Sequence, residues 1–143
     1  MFFAMDAHIL AARLAIVTSV LALGYSLFHV SNAYAFITNQ IGQFQNMVHE
    51  ERLIPSAMRR FNLAAILIMV LSYVGILYWA GLAWWILAIV FCKYLFTAYV
   101  SDQIQERVLQ GQKYGMTDHW LVKTDSMANV AVLSFVLMVC IWS

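Results

Sequence analysis

Residues 61–92 contain no charged side chain, a run too long and too apolar to be hidden inside a small soluble domain. A hydrocarbon layer about 30 Å thick takes roughly 20 apolar residues per helical crossing, so this run can cross, turn and start back. Gly81 is the natural turn, because a residue without Cβ relaxes the backbone at a helix end. Tyr78, Trp79, Trp84 and Trp85 cluster around it. Such rings favour the headgroup boundary, where the ring is half buried and its polar atom hydrated. One interface is therefore expected there, between a helix over about 56–80 and a second over 82–100.

Two further apolar stretches complete the set. The first spans Leu14 to Val30, and the Ala33-Tyr34-Ala35 that follows has the small-residue pattern of a signal-peptidase site. Its apolar body exceeds the usual length of a signal peptide's core, and Asp6 accompanies Arg13 ahead of it, so it is read as a retained helix over about 7–37. The last helix is placed at 127–142. Hydrophobic residues make up 64% of the chain and charged residues 10%, against about 25% charge in soluble domains. The fold class expected is all-α: one polytopic domain over 1–143, a four-transmembrane-helix bundle without internal repeats. A net charge of +1 supplies no basic face for nucleic acid.

The positive charges fall unevenly. Arg52, Arg59, Arg60, Arg107, Lys113 and Lys123 lie in the first and third connections, with only Arg13 at the opposite end. By the positive-inside rule loops 38–59 and 101–125 are cytoplasmic and both termini periplasmic or lumenal. Helices 1 and 3 are expected to extend into the cytoplasm. Ile37, Ile41, Phe44 and Val48 carry helical spacing on to about 50, and Phe96, Val100, Ile104 and Val108 carry it to 109. Pro55 ends the first extension and Ser56 is a candidate cap for helix 2, while Gly111 and Gly115 break the second. Thr117 and Thr124-Asp125 are candidate caps around an interfacial turn that carries Trp120. Glu50, Glu51 and Arg52 are expected to face Glu106 and Arg107.

Polar groups inside hydrocarbon are costly unless paired or hydrated, so they are the candidate sites. Lys93, with Tyr94 beside it, either stretches toward the cytoplasmic boundary, lines an intramembrane anion or lipid-headgroup site, or pairs with a partner subunit. Thr18, Tyr25, His29 and Asn32 fall near one face of helix 1. Tyr25, His29 and Asn32 are read as polar contacts between helices. His29 lacks a facing histidine for haem ligation. His49-Glu50-Glu51 and Asp118-His119 lack the spacing of a zinc site. Cys92 and Cys140 read as apolar packing and the scattered methionines as filler. No nucleophile motif, P-loop or dinucleotide turn occurs, and with the last helix starting at Met127 no carboxylate lies within a span, which argues against a proton-coupled pump. No catalytic residue, metal or cofactor is assigned.

Arg59, Arg60 and Asn62 at the start of helix 2, with Lys93-Tyr94 in helix 3, are the further candidate binding residues. In these positions, its four crossings and its basic first loop, the chain loosely resembles the eicosanoid and glutathione metabolism family of membrane proteins. That resemblance implies a trimer with a site for lipophilic substrates between subunits. The family's acidic position in helix 2 is occupied here by the Ala64-Ala65 region, and the third connection is longer. The expected function is a non-catalytic accessory or structural subunit of a larger membrane complex, or a self-assembling scaffold. Phe28, Phe36, Tyr73, Trp79 and Phe135 are expected on outer faces that meet lipid or partner helices. The alternatives are a small membrane enzyme or binding protein, and an oligomeric channel or transporter.

Overall fold

The computed structural model describes residues 2–52 and 54–142. They form five α-helices: α1 (Phe2–Ser31), α2 (Tyr34–Glu50), α3 (Pro55–Trp79), α4 (Trp84–Leu109) and α5 (Met116–Trp142). Four of them, α1 from Asp6 onward, α3, α4 and α5, are long and apolar enough to cross a membrane. α1 packs on α5 and α3, α3 on α4, and α4 more sparsely on α5, while α2 lies on α4.

The turns follow from backbone chemistry. α3 ends in a Schellman motif: Gly81 sits at φ +83°, its N–H donates to the Tyr78 carbonyl, and the Leu82 N–H donates to that of Leu77. Gly111, at φ +76°, repeats the motif after α4, with Gly111 N–H on Val108 and Gln112 N–H on Arg107. Pro55 opens α3 at its first turn, where its missing N–H costs nothing. Ile54 stands at the cap position and makes no side-chain cap bond, so the cap expected from Ser56 is absent.

The helical spacing that continues past the first apolar stretch belongs to a separate element. α1 stops at Ser31, Ala33 is extended (φ −74°, ψ 149°), and α2 begins at Tyr34. The break redirects the chain so that Tyr34, Ile37, Ile41, Phe44 and Val48 form the half-buried face of α2. Tyr34 Oη donates to the Tyr114 carbonyl at 2.8 Å and Gln45 Nε2 to that of Val108 at 2.9 Å, which ties α2 across the end of α4. The last helix begins eleven residues before the sequence-based start, at Met116. Asp118, at the third helical position, reaches back to the Gly115 N–H at 3.1 Å, one half of a capping box. Neither Thr117 nor Asp125 caps a helix; both lie inside α5, and there is no interfacial turn at Trp120.

The interior is made of small and medium apolar residues, with polar cross-links among them. Ala11 and Ala15, one helical turn apart, are buried against Leu77, Ala80, Ile86, Val90 and Val136; small side chains let helices approach closely where lipid offers no hydrophobic drive. Tyr73, expected outward, turns inward and hydrogen-bonds Ser19 across α1 and α3. The outer surface is apolar, with Leu21, Phe28, Phe61, Ile68 and Trp79 all more than half exposed. Polar inside and oily outside is the arrangement a hydrocarbon solvent favours.

Candidate functional site

Lys93 is tied across α4 and α5. Its Nζ lies 2.7 Å from Asp125 Oδ1, 2.7 Å from Asn129 Oδ1 and 2.8 Å from Thr97 Oγ1. The construction is two matched pairs: Lys93 and Thr97 are one turn apart on α4, Asp125 and Asn129 one turn apart on α5, and residues at i and i+4 share a helix face. All three donor positions of the ammonium are therefore filled. Asp125 is buried and Lys93 largely so, with their side chains 7% and 13% exposed. A carboxylate thus stands inside the apolar length of α5, contrary to the expectation of spans free of acids.

A cleft of about 370 Å³ opens beside this network. Its floor is Thr97, Asp125 and Asn129, its walls include Ser26 and His29 of α1 and Asn62 of α3, and Ile41 and Phe44 of α2 form its roof. Asp125 is the only Asp, Glu, Lys or Arg on its lining among the described residues; its partner Lys93 is not part of that lining. Along α4 the cleft runs from Thr97 to Val108, about 16 Å at the helical rise.

The other candidates occupy a second polar layer nearer the α4–α5 connection. Arg59 grips Asp102 with two hydrogen bonds, Nε to Oδ1 at 2.6 Å and the terminal nitrogen to Oδ2 at 2.7 Å, and reaches Glu106 at 2.9 Å. Asn62 donates to Gln105 at 2.8 Å, and Arg107 pairs with Asp118 at 2.8 Å. Glu106 and Arg107 thus pair with Arg59 and Asp118, and not with the Glu50-Glu51-Arg52 end of α2. Arg60 is exposed and has no ion pair among the described residues. Tyr94 packs edge-on to Tyr73, with centroids 5.9 Å apart, away from the Arg59 cluster.

The helix 1 stripe has a different fate. His29 is half-buried, edge-on to Tyr25 at 4.4 Å, and lines the cleft; Tyr25 is exposed and Asn32 stands in the α1–α2 break. None of the three makes an interhelical hydrogen bond among the described residues. Near the same break Tyr34, Tyr114 and His119 form an aromatic cluster with centroids 5.3 to 6.2 Å apart. Tyr114 Oη and His119 Nδ1 are buried there without a hydrogen-bond partner among the described residues. Burial, and behind it Asp118 and Tyr34, pushes the Tyr114 phenol up to about 12.

The chemistry available is recognition by hydrogen bonds and a buried carboxylate. No group of three His, Cys, Asp or Glu side chains suited to a metal ion occurs among the described residues. Asp125, Thr97 and Asn129 were missed as site residues because each is unremarkable in sequence; the signal was the lysine itself, which needs a carboxylate one helix away. The chain matches no protein-family model, no curated protein and no solved structure.

Proposed function

We propose that this chain is a non-catalytic, multi-pass integral membrane subunit that supports a larger membrane complex or assembles with itself. The observation that carries this reading is the internal pairing of ionic groups along the helices. Lys93 is neutralised by Asp125, Arg59 by Asp102 and Glu106, and Arg107 by Asp118. With those charges turned on one another, the outward faces of α1 and α3 are free to meet lipid or partner helices. In this reading α1, α3, α4 and α5 cross the bilayer as a four-helix bundle. The basic α2–α3 and α4–α5 connections are cytoplasmic, α2 and the end of α4 stand at or beyond the boundary, and both termini are periplasmic or lumenal.

The test is purification of the tagged chain from its native membrane in mild detergent, followed by mass spectrometry of what accompanies it. Larger membrane proteins in fixed stoichiometry are expected. Recovery as a compact homotrimer without partners would shift the assignment to the lipophilic-substrate class that the glutathione-metabolism resemblance implies, and glutathione-dependent turnover would decide it. A second reading, a solute carrier or channel, is favoured by the cleft that reaches the buried Asp125; flux into liposomes holding the purified chain distinguishes it.

A further inference from the structure

We propose that the cleft beneath α2 is a binding site for a small organic cation, a protonated amine carrying a compact apolar body, with the Asp125 carboxylate as its anchor. Three observations lead there. First, both hydrogen bonds to Asp125 fall on one oxygen, Oδ1, which accepts from Lys93 Nζ at 2.7 Å and from Thr97 Oγ1 at 3.2 Å. Among the described residues Oδ2 accepts none, and it is not among the sealed, unpartnered atoms. Asp125 lies on the cleft lining, so its second oxygen is within reach of a ligand ammonium, and a charge-assisted bond there is of the stronger kind.

Second, the charge is one-sided. Asp125 is on the lining and Lys93 is not, so the ion pair presents its negative member to the cleft. Around it stand groups that can accept as well as donate: the hydroxyls of Ser26, Ser101 and Ser126, the Asn129 amide, whose Oδ1 already accepts from Lys93, and the His29 imidazole. An anion would meet a carboxylate with no facing cation. An ammonium meets the negative end of a dipole and several oxygen acceptors, and charge-assisted hydrogen bonds are the stronger kind.

Third, much of the remaining lining is apolar. Ile41, Phe44, Val100, Ile104, Val108 and Val122 contribute to it, beside the mutually hydrogen-bonded Asn62 and Gln105, and the volume of about 370 Å³ is within the range of small-molecule sites. The polar floor orients the head and the roof of α2 covers the body. The inference does not depend on whether the chain works as a subunit or alone.

The experiment uses the full chain in phosphatidylcholine nanodiscs and three probes that share one ring and differ in head: phenethylammonium, 2-phenylethanol and phenylacetate, with binding followed by calorimetry. Saturable binding of phenethylammonium, about tenfold or more tighter than of the alcohol and with no binding of phenylacetate, is the expected result. Removing Asp125 alone strands the Lys93 ammonium, so the diagnostic variant is K93M/D125L, which deletes both charges together. It should keep its melting temperature within a few degrees and lose the preference for the amine. A second variant, Ser101→Cys, should react with a small water-soluble thiol reagent and be protected by phenethylammonium. Equal uptake of all three probes, as an apolar groove filled by an acyl chain would give, overturns the proposal. So does an amine preference that survives in K93M/D125L, or failure of phenethylammonium to bind or to protect Ser101→Cys.

Discussion

At the residue scale the ionic pair between α4 and α5 dominates. Substituting Asp125 by Leu alone leaves the Lys93 ammonium buried without a counter-charge, and breaking such a pair from one side costs about 3–5 kcal/mol. Thermal unfolding in nanodiscs should show that loss for Asp125→Leu, and a much smaller one when Lys93 is replaced by Met as well. Tyr114 makes a separate point about pH. Its phenol is raised to about 12 from an unfolded value near 10, so its contribution is complete below about pH 10 and is lost as pH rises from there through 12. An ultraviolet titration of native protein against Tyr114→Phe should show one phenol ionising late, and the variant should lose less stability between those pH values. Gly81 is the third such residue. Alanine at its φ of +83° costs about 1 kcal/mol from the backbone alone, and its methyl group would come within 2.7 Å of His8 Nε2, so Gly81→Ala should lower the melting temperature.

At the scale of elements, α2 is the least anchored helix. It has no fully buried residue and is held by one half-buried face and two side chains, Tyr34 and Gln45. Placing Asp at Ile41 or Phe44 puts a charge on that face, and hydrogen exchange across 34–50 should accelerate while α3 and α4 stay protected. The two ends of the molecule differed in how far the sequence could be read. The α3–α4 hairpin was legible because a charge-free run, a glycine and a ring of aromatics coincide at Gly81. The α1–α2 break was not, because apolar spacing runs unbroken from Val30 through Ile37 and no glycine or proline marks residues 32 and 33. The start of α5 was hidden for the opposite reason. Asp118, His119, Lys123 and Asp125 make its first turns look like loop, although Asp118 serves as the cap and Asp125 as the partner of Lys93. Which carboxylate a buried lysine selects depends on how two helices are set against each other, and hydropathy along one strand of sequence carries no such information.

On the scale of the whole molecule, the five tryptophans are sorted by position. Trp79, Trp84, Trp85 and Trp142 gather at the Gly81 end, Trp120 stands near the start of α5 at the other, and all five are exposed, Trp142 at 91%. In the proposed four-crossing arrangement the protein carries its own depth gauge. Brominated lipid confined to the leaflet at the Gly81 end should extinguish most of the indole emission, and the same lipid in the opposite leaflet should dim only the share of Trp120, so an asymmetric vesicle reads out insertion and polarity with no label attached.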